Sequence, residues 1–425
     1  MKYLQILLLA CVSLQASENI TFSETTNTSC NIEFEQLVLD GLETHPSIDM
    51  SRESIKSAEF EVDSARWGYF PSPSVDYSLK SGSKKQLIAR LDQPIWTGGK
   101  IDSAYDKAKA LHKEVNHELN ENRYKLVDSY ITALKEYIKA KDKIKVLNHN
   151  KKEFFELSKM LDRFMKAGEL SLTDKNLLNS RISNISSDLV ITKSKHKVAN
   201  IQLEILTGKK INCNVEFNHE DILALQVDLD KLILDLQEFH PTLKMMDAKI
   251  LSSIAEVDSM KAQLWPSLVL RGEHKRGTIY DETEPETENL LYLSVNLSTG
   301  AGLSGLSNID KAKIDIKKVK FEKNTKVKEL LDKLMADYTN YITTISHIQM
   351  VESNIKLAKL IFESNERLFV SQKKSWLDLV NSLSELSKQK IKYSDLLVDK
   401  KILEYKIALI TGKVNLETLE VYGDI

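Results

Sequence analysis

The stretch LETHPSI at residues 42–48 returns as QEFHPTL at residues 237–243, which puts two His-Pro pairs 195 residues apart. At the same offset, the tetrapeptide EVDS occurs at residues 61–64 and again at residues 256–259. Several matches in one fixed register indicate an internal duplication rather than chance. The sequence therefore predicts two copies of one structural unit, each with a His-Pro pair near its start.

Glycine-containing joints repeat as well, at a slightly larger offset. TGGK (97–100) corresponds to TGAG (299–302), and LTGK (206–209) corresponds to ITGK (410–413). Glycine adopts the backbone conformations that tight turns require. We therefore interpret these joints as equivalent element boundaries in the two copies.

Prolines delimit a short helix in each copy, from the His-Pro pair to a later proline that follows an aromatic residue. Proline is tolerated at the first helical position, and a later proline ends the helix. Two segments with strand character follow, which gives the strand pairs 72–96 and 267–298. In LLYLSVNLS (290–298), apolar and polar residues alternate, a pattern typical of a strand with one apolar face.

Two very long helical segments follow the strand pairs. Neither glycine nor proline occurs in residues 101–167 or 306–411, and the whole chain has only 14 glycines and 7 prolines. Apolar residues recur every three to four positions with Lys and Glu between them, which indicates coiled-coil packing. Breaks at FMKAGELSLTD (164–174) and FVSQKKSWLD (369–378) divide the segments into the predicted hairpins 101–206 and 306–411.

The N-terminus has the features of a secretory signal peptide. Lys2 supplies the positive charge, residues 4–14 form the apolar run, and Ala16 is a plausible cleavage site. A lipoprotein site at Cys11 is the alternative. The predicted segments of the 425-residue chain are a signal peptide (1–16), an N-terminal periplasmic extension (17–33), the first repeat (34–209), a linker (210–230), the second repeat (231–413) and a C-terminal tail (414–425).

Two cysteines, Cys30 and Cys213, remain after the predicted cleavage, and they begin the similar phrases CNIEF and CNVEF. An exported chain meets an oxidising compartment, so a disulfide between them is one alternative. Two free thiols are the other, because sequence alone does not fix cysteine pairing.

The composition and motifs disfavour an enzyme or a nucleic-acid-binding protein. A net charge of −2 gives no field that would attract nucleic acid. GAGLSG (300–305) matches a dinucleotide fingerprint by letter, but the helix after it is far too long for a βαβ unit. The nine histidines form no metal-binding motif, and no G-x-S-x-G pattern occurs. We therefore expect no catalytic residues, cofactor or metal.

The chain resembles the TolC-like outer membrane efflux proteins, also called outer membrane factors, over about residues 34–413. The duplication and its joint phrases carry the resemblance, among them YFPSPSVDY with LWPSLVLRG, and PIWTGGK with LSTGAGL. The resemblance implies a mainly α fold with a small β part, in which a long α-helical coiled-coil barrel forms a tunnel. Four β-strands per chain would contribute to a twelve-stranded trimeric transmembrane β-barrel, since four strands alone cannot close a barrel.

The resemblance also implies the function of a channel-tunnel in the cell outer membrane, with its helical part in the periplasm. A homotrimer surrounded by outer-membrane lipid would work in a tripartite efflux or type I secretion system. Its partners would be a periplasmic adapter protein and an inner-membrane pump, either proton-driven or an ABC exporter. Cargo is left open among drugs, metal ions and secreted proteins. The alternatives are a periplasmic adapter (membrane-fusion) protein and a coiled-coil scaffold.

The hairpin breaks correspond to the gate and the adapter-docking tip of this family. The predicted gate residues are Asp378, Asn381, Lys374, Phe369, Thr173 and Asp174. The predicted docking residues are Ala167, Gly168, Glu169, Gln372 and Lys373.

Departures from the family pattern at the gate predict a closed state that is held less tightly. Asp378 matches the first acid of the family's constriction ring, whereas Asn381 replaces the second. Phe369 stands at a tyrosine position, and its side chain has no hydrogen-bond donor. Lys374, at an arginine position, would reach Thr173 or Asp174 only as a point charge.

Aromatic residues at two places have more than one interpretation. Trp376 near the break is either a docking anchor or a packed turn residue. Phe70, Trp96 and Trp265 lie at the ends of the strand pairs, where they suit a lipid–water girdle or ordinary packing at a sheet–helix junction.

Overall fold

The computed structural model describes residues 31–80, 84–217, 228–277, 286–298 and 302–416. The predicted signal peptide, Cys11, Cys30 and most of the predicted C-terminal tail lie outside the described residues.

The two halves of the chain contain the same elements in the same order. The first half comprises β1 (Asn31–Glu33), α1 (Phe34–Thr44), α2 (Pro46–Trp67), β2 (Ser72–Lys80), β3 (Lys84–Trp96), α3 (Lys100–Lys166) and α4 (Leu172–Thr207). The second half comprises β4 (Asn214–Glu216), α5 (Leu229–Phe239), α6 (Pro241–Ala262), β5 (Ser267–Gly277), β6 (Glu286–Asn296), α7 (Ser304–Val370) and α8 (Trp376–Ile410). The predicted internal duplication is therefore confirmed.

The two His-Pro pairs separate a short helix from the next one in each copy. His45 is the N-cap of α2 and accepts a hydrogen bond at Nδ1 from the backbone N–H of Ser47 at 3.2 Å. His240 does the same for α6, with Thr242 N at 3.1 Å. Each histidine also ends the preceding helix, α1 or α5, so the chain changes direction at a single extended residue.

α3 and α7 have 67 residues each, which corresponds to about 100 Å at 1.5 Å per residue. Both begin next to the strands, and we call this the sheet end; both finish at the turns before α4 and α8, the tip end. Towards the sheet end the packing order is α2, α3, α6, α7, and towards the tip end it is α4, α3, α8, α7. In this order α7 lies at one edge over its whole length, and α2 and α4 lie at the other.

The four longer strands form one antiparallel sheet in the order β2-β3-β5-β6. The β3–β5 pairing joins the two repeats, whereas β2 and β6 are the edges. Since β2 directly follows α2 and β6 directly precedes α7, the sheet has the same edges as the helical part.

A second, small sheet was not predicted from the sequence. β1 and β4 pair in parallel, with Asn31 opposite Asn214, and they tie the N-terminal extension to the linker between the repeats. Cys213 lies directly before β4 and is disulfide-bonded. Cys30 lies outside the described residues, so its pairing with Cys213 stays a prediction, which peptide mapping without a reductant would decide.

The largest apolar core surrounds this small sheet, midway along the long helices. Its centre includes Tyr130 and Tyr405, which are fully buried. The Tyr130 hydroxyl donates a 2.6 Å hydrogen bond to the carbonyl of Leu206 at the end of α4. It also lies against Gly41, where an added Cβ would be 1.7 Å from the hydroxyl oxygen. Gly41 therefore lets α1 approach α3 closely.

Candidate functional site

The tip end consists of two equivalent turns, residues 167–171 between α3 and α4 and residues 371–375 between α7 and α8. In the first, Gly168 has a φ of 79°, and in the second, Gln372 has a φ of 58°. The backbone N–H of the next residue bonds back to the helix in both, Glu169 to Phe164 O at 3.0 Å and Lys373 to Leu368 O at 2.8 Å. Both helices therefore end in a Schellman motif, although only the first has the glycine that this motif favours.

A capping box starts the helix after each turn. The Ser171 hydroxyl donates to Asp174 at 2.7 Å, and the Ser375 hydroxyl donates to Asp378 at 2.8 Å. The backbone N–H of each aspartate donates back to its serine. The phrases SLTD (171–174) and SWLD (375–378) carry this S-x-x-D signal, which is not among the features predicted above. Hydrogen bonds from Ser375 lower the pKa of Asp378, which favours its charged form.

Lys374 lies near Asp378 on its own hairpin rather than near the first hairpin. Its ammonium is 3.8 Å from the Asp378 carboxylate, and both side chains are nearly half exposed. Asp174, the predicted partner, is engaged by Ser171. Within one chain, the predicted contact from Lys374 to Thr173 or Asp174 is therefore not made. An exposed pair such as Lys374–Asp378 contributes little to stability.

Three aromatic rings connect the two hairpins just behind the turns, and we call them the tip cluster. Phe369 of α7 packs between Phe164 of α3, at 4.9 Å, and Trp376 of α8, at 5.3 Å between ring centroids. Phe369 is 6% exposed and Trp376 is 2% exposed. In this structure Trp376 is therefore a packed turn residue. Phe369, which cannot donate a hydrogen bond, joins the hairpins by apolar contact instead.

The predicted docking residues are all exposed at the two turns. The set is Ala167, Gly168, Glu169, Gln372 and Lys373. Exposed apolar side chains adjoin them, namely Leu172, Val370 and Leu377. Asn381 is also exposed, six residues beyond the N-cap Ser375 of α8.

Replacing Gln372 by glycine is expected to stabilise the second turn by about 0.5–1 kcal/mol, because glycine adopts a positive φ without a Cβ penalty. Gly168→Ala is the matched opposite change: an added Cβ there meets nothing within 4 Å, so only backbone strain is introduced. Amide hydrogen exchange at residues 167–175 and 371–379 measures how each substitution changes the stability of its turn. Faster exchange in the Gln372→Gly variant would contradict this account.

At the sheet end, each strand turns a charged face to one side and an apolar face to the other. On the charged face, Arg90 pairs with Asp76 and, at 2.8 Å, with Glu273, while Arg271 pairs with Asp92 at 2.7 Å. Lys275 of β5 also pairs with Glu273 and with Glu288 of β6. Together, these ion pairs link all four strands. The opposite face carries exposed apolar side chains: Val75, Tyr77, Leu79, Leu91, Leu291, Leu293 and Val295.

Exposed aromatic residues surround the junction between the sheet and the helices. Trp67, Phe70, Trp96 and Trp265 are each about half exposed or more. Phe70 packs on Trp67 at 5.2 Å. In a single chain these rings therefore lie on the surface of the junction rather than in its core.

None of the helices in the described ranges combines the length and apolar character that a membrane crossing requires. The part of the chain that the structure describes also holds no group of three or more His, Cys, Asp or Glu residues suited to a metal ion.

Comparison with solved structures identifies the fold. The chain is similar to CusC, studied for transmembrane channel formation, with a TM-score of 0.76, 12% identity and coverage of 89% of this chain and 92% of that one. It is similar to the outer membrane protein VceC of Vibrio cholerae (TM-score 0.73, 14% identity, 89% and 96% covered). The CmeC outer membrane channel of Campylobacter jejuni gives a TM-score of 0.73 at 11% identity, with 93% and 90% covered.

No known protein-family profile matches the chain. No curated protein matches it in sequence. At such low identities the structural likeness establishes the fold of the single chain, so the predicted mainly α fold with long helices and a small β part is confirmed. The twelve-stranded trimeric barrel stays a prediction.

Proposed function

We propose that three copies of this chain form a channel-tunnel in the cell outer membrane, the exit duct of a tripartite efflux or type I secretion system. The observation that carries this proposal is the four-stranded sheet with one charged face, one exposed apolar face and two unpaired edges, continued by helices about 100 Å long.

The sheet is unsuited to a single chain in water or lipid. Its apolar face would lie exposed, and the edge strands β2 and β6 carry unpaired backbone groups. Pairing β6 of one copy with β2 of the next satisfies both edges. Three copies with four such strands each would close a twelve-stranded barrel, with the apolar face towards lipid and the charged face towards a water-filled lumen.

The helices support the same head-to-tail contact. Below β2 lie α2 and α4, and below β6 lies α7, so both layers of the molecule have matching edges. A contact between two different edges of one chain closes into a ring when the rotation between copies allows it. The helical layer of a trimer would then extend the barrel into a periplasmic tunnel.

The tip end is the natural position for a gate and for a periplasmic adapter. Its exposed turns are at the far end of the helices from the sheet, and the tip cluster holds the two hairpins together. Cargo would diffuse passively through the lumen. An inner-membrane pump, either proton-driven or an ABC exporter, would supply the energy for export. No catalytic chemistry by this chain is needed.

A matched pair of neighbouring substitutions on β6 tests the membrane orientation. Leu293 lies on the apolar face and is 61% exposed, whereas Ser294 lies on the charged face. Leu293→Arg is expected to cost about 2–4 kcal/mol on the lipid side of a barrel, whereas Ser294→Arg would face the lumen and be tolerated. Membrane fractionation and heat-modifiable trimer bands measure the difference.

If both variants reached the outer membrane equally well, the orientation of the sheet would be wrong. If the unaltered chain were recovered as a water-soluble monomer from the periplasm, the proposal as a whole would be wrong. A coiled-coil scaffold would then be the better account.

A further inference from the structure

Two basic side chains lie on the apolar face of the sheet, at the end of the strands that is farthest from the helices. Lys85 is the second residue of β3, and Arg276 is the second-last residue of β5. Lys85 lies opposite Leu79 of the apolar face, and Arg276 lies opposite Leu87, two residues from Lys85, so all of them share that face. Both basic side chains are exposed. We call Lys85 and Arg276 the basic pair.

The basic pair occupies diagonal positions on neighbouring antiparallel strands. Such positions are about 7–8 Å apart, which lets a long lysine and a long arginine side chain reach the same group. Because β3 and β5 are the two inner strands of the sheet, both residues belong to one chain and lie away from its edges. A ring of three copies would therefore carry three such pairs and cover none of them.

The basic pair has no acidic partner, unlike the basic residues on the other face of the same sheet. There, Arg90, Arg271 and Lys275 each form an ion pair with a carboxylate. Within the residues that the structure describes, no carboxylate is within ion-pair distance of Lys85 or Arg276. Two uncompensated cations on an otherwise apolar face therefore need an anion from outside the described chain.

The level of the pair corresponds to the outer border of a membrane. Along β3, Lys85 precedes Trp96, at the junction with the helices, by 11 residues. At about 3.3 Å per residue and a strand tilt of about 40°, this separation corresponds to a height of about 28 Å. The apolar band of a transmembrane barrel is about 25 Å tall. With Trp96 at the inner border, the basic pair lies among the lipid headgroups of the outer leaflet, where basic residues are tolerated.

Neutral polar groups separate the pair from the apolar part of the face on β5 and β6. His274 precedes Arg276 by two residues, and its Nδ1 is 2.7 Å from Oδ1 of Asn289. In the next row towards the helices the face is apolar, at Leu91 and Leu291. The order of cations, hydrogen-bonding groups and apolar surface matches a lipid with an anionic headgroup and acyl chains.

We propose that the basic pair binds the phosphate group of an anionic lipid in the outer leaflet, with the acyl chains of that lipid on the apolar face of the sheet. The inference rests on the membrane orientation given under the proposed function. Arg276 would bind phosphate oxygens through its fork of N–H donors, whereas Lys85 would add a point charge. The adjoining apolar face favours a lipid over a soluble phosphate ester, because each buried acyl CH₂ adds affinity.

Acidic residues of the β5–β6 connection are the alternative partners of the pair. They are Asp281, Glu282 and Glu284, which lie outside the described residues. Pairing within the chain would neutralise Lys85 and Arg276. The protein would then bind anionic and zwitterionic lipids equally, so the wild-type chain itself distinguishes the two possibilities.

Native mass spectrometry of the full chain in a non-ionic detergent tests the inference, because one spectrum resolves the trimer and the lipids bound to it. The wild-type trimer is expected to bind phosphatidylglycerol more tightly than phosphatidylcholine. Lys85→Gln together with Arg276→Gln should weaken phosphatidylglycerol binding about twentyfold, since each basic side chain at an anionic surface contributes roughly fivefold. Phosphatidylcholine binding should stay unchanged.

Two further variants serve as controls. Lys85→Arg together with Arg276→Lys keeps both charges and should retain the preference for phosphatidylglycerol. Lys113→Gln removes an exposed lysine of α3 about 20 Å from the start of that helix, outside the membrane, and should have no effect. If the double glutamine variant formed no trimer, the two single glutamine variants, each expected to lose about fivefold, would give the same test.

A preference that is lost in the glutamine variants and kept in both controls supports the inference. An unchanged preference in the glutamine variants, an equal loss in Lys113→Gln, or a wild-type trimer without any preference overturns it. Displacement of the lipid by an equal concentration of glycerol phosphate, which has no acyl chains, also overturns it and assigns the pair to a soluble phosphate ester. A wild-type chain without a trimer peak would refute the proposed function, and this inference with it.

Discussion

Replacing Trp376 by alanine is expected to produce the largest change at the tip, with both a loss of stability and an opening of the proposed channel. Trp376 is almost fully buried, and its ring packs on Phe369, which in turn packs on Phe164 of the other hairpin. Truncation of a buried tryptophan costs about 3–5 kcal/mol because a cavity remains. Since these rings join the two hairpins, we expect a severalfold higher conductance of purified trimers in planar bilayers.

Three other substitutions make this prediction specific. Trp376→Phe keeps an aromatic ring in the cluster and should lower stability much less. Leu377→Ala removes a half-exposed neighbour of Trp376 and should change stability and conductance little. Lys374→Ala removes the exposed pair with Asp378 and should leave conductance unchanged. Equal conductance of the Trp376→Ala and wild-type channels would rule out the tip cluster as the closing contact.

Acidification is expected to destabilise the protein through His240, the second large effect. The ring is fully buried, lies 4.5 Å from that of Tyr124 and accepts the N-cap hydrogen bond of α6. Burial, and secondarily the charge of Lys333, lowers the pKa of His240 to about 4. The unfolded chain takes up this proton near pH 6.5, so stability is lost as pH falls from about 6.5 to 4, by up to about 3 kcal/mol.

His240→Asn separates this titration from the structural role of the residue. Asparagine also accepts a hydrogen bond at an N-cap but does not titrate in this range. The variant is expected to be less stable at pH 7, where the ring packing is lost, and to have a flatter pH profile than the wild type. Denaturant unfolding at pH 7, 5.5 and 4.5 measures both. A profile as steep as that of the wild type would assign the acid sensitivity to other groups.

The spacing of residues along the sequence was sufficient to predict the order of the helices and of the longer strands. The His-Pro pairs at 45–46 and 240–241 mark helix starts because proline fixes φ and histidine supplies the capping acceptor. The long stretches without glycine or proline became α3 and, divided by the turn at residues 371–375, α7 and α8, as expected from their apolar period. The strands β1 and β4 were missed, since three-residue strands leave almost no periodic signal.

At the tip, the sequence located the turns but not their contacts. The phrases SLTD and SWLD are enough to predict the two capping boxes, whereas the resemblance predicts Asp378 only as part of a charged ring. Whether Trp376 faced a partner or its own core was undecidable from its position after a turn. Trp376 is buried in an apolar cluster that includes Leu157 and Leu161, which are more than two hundred residues earlier in the chain.

The sequence by itself determined the duplication, the element order and the long coiled-coil helices, because each follows from backbone periods within a few residues of chain. Only the tertiary structure decided which side of each element meets which neighbour. In α7, buried apolar residues such as Leu334 and Tyr341 and exposed ones such as Phe321 and Met350 merge into one pattern along the chain. They separate only when the neighbouring helices cover one side and leave the other exposed, since burial is a property of the packed helices together.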